Sequence, residues 1–276
     1  MSNVVRFYHI SDVHLEFHKA TDPISVVTPH DSLDSVLILN GDIGTIATED
    51  RREQYGKFLS LCSKCFKHII CTRGNHESFG GDFLKTVDKL REMCSIYDNV
   101  TFLENEDVMI DDVKVFGAPF FTDFTDGVES LGALACHSMY NDFKKVHLNG
   151  HMLHPKDYVQ AYRRSVMDCK KSNPDIVVSH YVPSMSVLER RIDALSTGMG
   201  SEPLECMYNA GLEDIKYWVY GHDHSKKDGL NSNTTMLGTT ECRSHCRGYY
   251  RNEHYDEVVR IEAYFDFVKD WEAEDE

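Results

Sequence analysis

Short apolar runs alternate with longer stretches of helical periodicity along the first hundred residues. Near-continuous apolar runs over residues 4–10, 35–40 and 67–71 are typical of strands that are buried on both faces. Residues 49–66 and 83–94 repeat apolar side chains at helical spacing, which predicts two amphipathic helices. Strand and helix alternating in this way predict an α/β organisation.

The pattern changes after residue 100. Short strands are predicted over residues 100–103, 108–110 and 113–116, with Asp111 and Asp112 in a hairpin turn. A helix over 155–171 follows, and then strands over 175–179, 217–220, 234–239 and 258–267. Residues 120–154 are the least regular part, which we interpret either as a substrate lid or as a solvated loop. We expect one domain over residues 1–268 and a solvated acidic tail over 269–276.

The bulk composition is that of a globular protein with an acidic surface. Of its 276 residues, 41% are hydrophobic and 27% are charged, and no apolar stretch approaches the roughly 20 residues of a membrane span. The N-terminus lacks the pattern of a signal peptide and the nine cysteines are an odd number, so we expect a cytoplasmic protein with reduced thiols. A net charge of −16 disfavours long duplex nucleic acid as a partner, although bound cations would still admit a nucleotide.

Five short groups of potential metal ligands each follow a predicted strand. They lie at residues 12–14, 41–42, 74–77, 179–180 and 221–224. Taken singly, each group is compatible with an ordinary turn or surface loop. The carboxyl ends of strands are where loops converge and ligands bind in α/β sheets, so the five groups are expected to meet. Carboxylates, imidazoles and a neutral amide oxygen suit a pair of divalent ions, with Asp42 as the natural bridging ligand.

The order D-x-H, G-D, G-N-H-[D/E], H and G-H-x-H resembles that of the calcineurin-like metallophosphoesterases, over residues 1 to about 250. The resemblance implies two mixed β-sheets packed as a sandwich and flanked by helices. It also implies that His76 is a catalytic histidine, with Glu77 as its orienting partner. For the two metal ions it implies Asp12, His14, Asp42 and His224 on one, and Asp42, Asn75, His180 and His222 on the other.

Smaller likenesses refine this picture. Segments 122–124, 141–143 and 247–249 resemble those of a group of small bacterial and viral metallophosphoesterases. Arg73 resembles the arginine of the R-G-N-H-E segment in protein serine/threonine phosphatases, and a guanidinium suits a phosphate group. Arg73 and Asn75 are therefore candidate substrate-binding residues, although Arg73 could equally be a surface residue. The G-D-x-V-D-R-G segment of those phosphatases is absent, which weakens the protein phosphatase interpretation.

We therefore expect a phosphoesterase that uses two divalent ions, with Mn²⁺ preferred over iron and Zn²⁺. In the expected reaction a metal-bridging hydroxide attacks phosphorus, His76 assists the leaving group, and Asp42 and Glu77 complete the catalytic set. The favoured substrate is a phosphodiester in a nucleotide or small nucleic-acid product. The alternatives are a phosphomonoesterase acting on a phosphoprotein or metabolite, and a non-catalytic scaffold. No membrane partner is expected, and the sequence does not indicate the oligomeric state.

Overall fold

Two mixed β-sheets form the centre of the molecule. The structure, a computed structural model, describes residues 4–19, 23–124, 131–184, 187, 215–223, 231–248 and 258–268. The first sheet has the order β15-β1-β3-β4-β5, in which β15 alone is antiparallel to its neighbour. Its strands are β1 (Val4–Ile10), β3 (Val36–Asn40), β4 (His68–Thr72), β5 (Val100–Phe102) and β15 (Tyr264–Val268).

The second sheet has the order β12-β13-β11-β10-β7-β6, with parallel central strands and an antiparallel strand at each edge. Its strands are β6 (Glu106–Ile110), β7 (Val113–Gly117), β10 (Ile176–Val178), β11 (Tyr217–Tyr220), β12 (Asn231–Leu237) and β13 (Thr240–Cys246). Two small pairs complete the strands: β2 (Ser25–Val27) with β14 (Val258–Arg260), and β8 (His147–Leu148) with β9 (His151–Met152).

The two sheets pack face to face through one apolar layer. This layer contains Phe7 and Ile38 from the first sheet together with Val115, Val178 and Val219 from the second, all fully buried. Strands β3, β4, β10 and β11 are apolar on both faces because the opposite faces of both sheets are covered as well. The predicted sandwich of two mixed sheets is thereby confirmed.

Helices cover the outer faces. Helix α1 (Glu49–Ser63) and helix α2 (Phe83–Cys94) lie on the first sheet, and α5 (Pro155–Ser172) lies on the second. The Asp82 side chain accepts the N–H groups of Leu84 and Lys85, which caps α2 and fixes where it begins. A capping box between His154 and Asp157 does the same for α5. Within the described part of the chain, no helix combines the length and apolarity needed to cross a bilayer.

The irregular region predicted over residues 120–154 is more ordered than its sequence suggested. It contains α3 (Leu131–Met139), α4 (Asp142–Lys145) and the β8–β9 hairpin, although residues 125–130 lie outside the described part. Phe121, Phe143 and Leu153 from this region pack with Tyr158 of α5 in a separate apolar cluster. Because these contacts come from tertiary packing, a local search for periodicity could not show them.

The end of the described chain also differs from the prediction. Residues 258–267 were expected to form one strand, but β14 pairs with β2 whereas β15 pairs with β1. The break at residues 261–263 takes the chain from one partner to the other. Strand β13 was missed and the predicted strand 234–239 is β12, shifted toward the N-terminus. The single domain over 1–268 stays a prediction, and the tail at 269–276 lies outside the described residues.

Candidate active site

The five motif groups lie directly after β1, β3, β4, β10 and β11. Several of their residues adopt a left-handed backbone that L-amino acids rarely occupy, with φ values of 53° at Asp12, 51° at His14, 52° at Asp42 and 67° at His222. Such conformations cost free energy and persist where the surrounding structure enforces them, often at functional sites. Four of the predicted ligands are therefore held in strained backbone positions.

Close contact between the second and third groups requires glycine. Gly41 has a φ of 90°, and a Cβ atom there would lie 2.6 Å from the backbone nitrogen of Gly74. A Cβ atom on Gly74 would overlap with the carboxylate of Asp42. The G-D and G-N-H-E segments therefore contain glycine because each backbone approaches the other loop too closely for a side chain.

Two sets of donor atoms converge at this edge and share one carboxylate. His14, Asp42 and His76 form one set, and Asp42, His180 and His222 form the other, with the donor atoms of each set within 4.8 Å of one another. The shortest imidazole approaches to Asp42 Oδ2 are 3.4 Å from His180 Nε2 and 3.8 Å from His76 Nε2. One shared carboxylate between two donor sets is what a pair of adjacent divalent ions requires.

The remaining predicted ligands lie at the same place, except for one that is not described. Asp12 Oδ1 is 3.8 Å from His14 Nε2, and Asp12 Oδ2 accepts the backbone N–H of His222. Asn75 Oδ1 lies 3.2 Å from His180 Nε2. His224 lies outside the described residues. The structure thus brings together Asp12, His14, Asp42, Asn75, His180 and His222, all of them predicted from the sequence.

The electrostatic environment of Asp42 favours positively charged neighbours, either protonated imidazoles or bound cations. Burial opposes ionisation of Asp42, but the neighbouring His180 and His76 imidazoles hold its pKa well below the ordinary value. Burial lowers the pKa of His180, yet Asp42 outweighs it and raises this pKa to about 10. Among the described residues, the ion-pair partners of Asp42 are histidines rather than lysine or arginine. Such a buried carboxylate among imidazoles fits divalent cations, which would replace the imidazole protons.

His76 interacts with a glutamate that the sequence analysis missed. Glu16 Oε1 lies 2.6 Å from His76 Nδ1 and 3.0 Å from His14 Nδ1. Burial lowers the pKa of His76, but Asp42 and the Glu16 hydrogen bond raise it to about 9. The other oxygen of Glu16 is buried and has no hydrogen-bond partner among the described residues. Glu16 follows His14 at the two-residue spacing that linked Asp12 to His14, and this spacing was the available signal.

Glu77 was expected to orient His76, but it contacts backbone instead. Its carboxylate accepts the N–H groups of Asp42 at 3.1 Å, Ile43 at 2.8 Å and Gly74 at 2.7 Å. Burial and the charge of Asp42 raise the pKa of Glu77 to about 7. Glu77 therefore ties the loop after β3 to the loop after β4, whereas Glu16 contacts the imidazole.

Comparison with known proteins identifies the family of the chain. The family model described as calcineurin-like phosphoesterase matches residues 5–226. The chain belongs to the calcineurin-like phosphoesterase family. It is 23% identical over 272 residues to an uncharacterized protein of Acanthamoeba polyphaga mimivirus, with 87% of this chain and 94% of the relative covered. Its fold is similar to that of the phosphopantetheinyl hydrolase from Mycobacterium tuberculosis, with a TM-score of 0.63, 17% identity and coverage of 88% and 89% of the two chains.

Family membership makes the chain a metal-dependent phosphoesterase, a hydrolase that acts on ester bonds. The donor groups around Asp42 are where this phosphoesterase could hold metal.

Arg73, a candidate substrate-binding residue of the phosphoesterase, lies beneath the site. Its guanidinium is hydrogen-bonded to other protein groups. It is 1% exposed, donates to Glu104 at 2.8 Å and to the Phe83 carbonyl at 2.9 Å, and lies 4.1 Å above the Phe83 ring. These contacts connect the end of β4 to the end of β5 and to α2. Because the guanidinium is buried and already paired, this arrangement does not favour a contact with substrate.

A cavity of about 1060 Å³ opens over the donor groups. One side of it consists of site residues, and the other comes from the segment after His76 and from the region around α4. Asp142, in one of the segments that resemble small family members, lies on this wall and accepts a 2.6 Å hydrogen bond from Tyr158. The cavity is lined by Glu16, Phe17, Thr45, Asn75, His76, Phe79, Gly80, Tyr140, Asn141, Asp142, Lys145, His147 and His222.

Proposed function

We propose that the chain hydrolyses a phosphodiester, in a nucleotide or a small nucleic-acid product, with two divalent metal ions. The observation that carries this proposal is the pair of donor sets that share Asp42 at the floor of an open cavity. We assign His76, a member of the first set, to proton donation and not to metal binding. In this proposal Asp12, His14, Asp42 and His224 hold one ion, and Asp42, Asn75, His180 and His222 hold the other. When bound, such ions lower the pKa of water and neutralise charge on phosphoryl oxygens.

The scarcity of cationic side chains in the described lining of the cavity favours a phosphodiester substrate over a phosphomonoester. A phosphomonoester carries about two negative charges near neutral pH and is typically bound by arginine forks, whereas a diester carries one. The Arg73 guanidinium is paired with the Glu104 carboxylate. Lys145 is the one lysine or arginine among the described residues that line the cavity. The described site therefore offers no guanidinium to the second charge of a monoester.

In this proposal His76 donates a proton to the leaving oxygen. The Glu16 carboxylate, 2.6 Å from His76 Nδ1, favours the protonated imidazole and leaves Nε2 as the nitrogen that can face the substrate. A positioned general acid of this kind contributes roughly 10²–10⁴-fold to a rate. Glu77 contributes indirectly, because it holds the two loops that carry Asp42 and His76.

Two chromogenic esters test the proposal. Protein stripped of metal and reloaded with Mn²⁺ is assayed on bis-p-nitrophenyl phosphate and on p-nitrophenyl phosphate, with Fe²⁺ and Zn²⁺ in parallel. The expected result is metal-dependent turnover that is faster on the diester. His76→Ala should lower turnover of the dinucleotide ApA by about 10²–10⁴-fold and that of the p-nitrophenyl esters by less, because p-nitrophenolate needs little protonation. Faster turnover of the monoester would replace the diesterase proposal with a phosphomonoesterase. Two equivalents of Mn²⁺ bound in a titration are expected, and one equivalent would contradict the two-metal proposal.

A further inference from the structure

The outer wall of the cavity is fixed to the loop that carries His76. Gly80 donates its N–H to the carbonyl of Lys145 at 2.8 Å, and His147 donates to Gly81 at 2.9 Å. The backbone of Asn149 donates to the Asp82 side chain at 3.1 Å. These bonds join residues 145–149 to residues 80–82. This part of the irregular region over residues 120–154, which we call the insertion, therefore forms a fixed wall of the cavity.

Aromatic rings line the cavity next to the catalytic floor. The ring of Phe79 lies 4.2 Å from that of His76, and the ring of Phe17 lies 5.6 Å from that of His14. Phe17 is 54% exposed although it adjoins polar donor residues, whereas Phe79 is 8% exposed. Exposed aromatic faces are platforms on which flat rings, including nucleobases, stack.

Lys145 adds one available positive charge to this wall. Its ammonium group lies 5.6 Å from the centre of the Phe79 ring, and no carboxylate pairs with it among the described residues. The two acidic residues that line the cavity are already engaged, because Glu16 contacts two histidines and Asp142 accepts from Tyr158. In a chain of net charge −16, an unpaired lysine at the mouth of the site is suited to a phosphate of the substrate.

We propose that this wall and the neighbouring Phe17 bind the part of the substrate that does not react. A planar ring stacks on the exposed Phe17, and a second anionic group, separate from the scissile phosphate, binds Lys145. The substrate class is therefore a short nucleotide diester that carries an additional terminal phosphate. One lysine, rather than a basic stripe, matches a short substrate and not a long strand. This inference rests on the proposed phosphodiesterase function and specifies its substrate.

Two dinucleotides that differ by one phosphate test the role of Lys145. ApA and pApA share the scissile bond and both bases, and chromatography separates cleavage of that bond from loss of the terminal phosphate. We expect kcat/KM for pApA to exceed that for ApA by about 2–5-fold, the range for one exposed charged contact. Lys145→Gln should bring this ratio to about one.

The neighbouring lysine provides the matched control. Lys144 is exposed, does not line the cavity, and donates to the carbonyl of Met139. Lys144→Gln should therefore keep both the activity on bis-p-nitrophenyl phosphate and the preference for pApA. A wild-type ratio of one, or a preference that survives Lys145→Gln, would overturn the assignment of Lys145.

Phe17 tests the ring platform without disturbing the core, because its side chain is exposed. Phe17→Ala should raise KM for ApA about fivefold or more with a smaller change in kcat, since stacking on one base contributes about 1–3 kcal/mol. Phe17→Trp should restore KM. An unchanged KM in Phe17→Ala, or a loss confined to kcat, would show that the ring does not contact substrate.

The outcomes separate the two proposals. Turnover of bis-p-nitrophenyl phosphate without cleavage of either dinucleotide would contradict the proposed substrate subsite but would still support the phosphodiesterase function. If no ester is hydrolysed, calorimetric titration of pApA into the Mn²⁺-loaded protein still decides the subsite. Weaker binding in Lys145→Gln than in both wild type and Lys144→Gln would support it, and equal binding in all three would reject it.

Discussion

The floor and the wall of the cavity are built in different ways. The floor consists of donor residues at the ends of five strands, and Asp12, His14 and His180 are fully buried there. The wall comes from the segment after His76 and from the region around α4, and it presents Lys145 to solvent, whereas the exposed Phe17 adjoins the floor next to His14. Buried groups on a paired sheet edge are preorganised, whereas exposed groups on an insertion can vary without disturbing the fold. The floor should therefore set the chemistry, and the wall should set which ester is cleaved.

The largest expected effect comes from the carboxylate that both donor sets share. Asp42→Asn should lower kcat on every substrate by at least about 10³-fold and abolish tight Mn²⁺ binding, because one neutral amide replaces the charge between two sites. Steady-state kinetics and a Mn²⁺ titration measure both. Asp88→Asn, on the exposed face of α2, is the matched control. Retained metal binding in Asp42→Asn would contradict the shared-ligand role.

The next largest effect concerns the support beneath the floor. Arg73→Met should reduce the free energy of unfolding by about 3–5 kcal/mol, because it leaves the mostly buried Glu104 carboxylate unpaired. Adding Glu104→Leu should recover much of that loss, since an apolar pair replaces the ion pair. Urea unfolding measures these changes. An Arg73→Met variant with unchanged stability and a raised KM would instead indicate that Arg73 binds the substrate.

A smaller effect is expected for the glutamate that holds His76. Glu16→Gln should lower kcat about 10–100-fold, the range for a partner that orients a functional histidine. The loss should be greater on ApA than on bis-p-nitrophenyl phosphate, because a sugar alkoxide needs protonation more than p-nitrophenolate does. Kinetics on the two esters give this comparison. An equal loss on both esters would indicate that Glu16 acts through His14 rather than through His76.

The smallest predicted effect lies deeper in the sandwich. His9 is buried and its ring faces His245 and Phe265. Burial, together with His245 and Arg243, lowers its pKa to about 3. Below pH 6.5 His9 takes up a proton in the unfolded chain but stays neutral in the folded chain. Its contribution to the free energy of unfolding is therefore fully present above that pH and is lost as the pH falls toward about 3.

His9→Gln should remove part of this pH dependence. Between pH 7 and pH 5, urea unfolding should show a decline in stability that is smaller in the variant than in wild type by about 1–2 kcal/mol. The exposed His151→Asn serves as the control. The same pH dependence in wild type and His9→Gln would contradict a neutral buried His9.

Much of the floor could be predicted because its information is local. Apolar runs define β1, β3, β4, β10 and β11, and polar residues that follow a parallel strand meet at one edge of the sheet. Asp12, Asp42, Asn75, His180 and His222 were identified in this way, and the structure places them together. The wall was less predictable, because the order in the insertion depends on Phe143 and Leu153 packing against α5.

The sequence by itself determined the α/β organisation and the candidate donor residues, because strand periodicity and short motifs are encoded within a few neighbouring positions. The resemblance that these motifs carry implied the family and its sandwich of two sheets. Only the tertiary structure decided which partner each functional side chain has. Glu16 contacts His76 across 60 residues, Arg73 pairs with Glu104 across 31, and Glu77 binds the backbone of a loop 34 residues away. Such contacts depend on where loops converge and on which groups become buried together. Local pattern does not contain that information, because charge pairing in a buried site is set by distance in space.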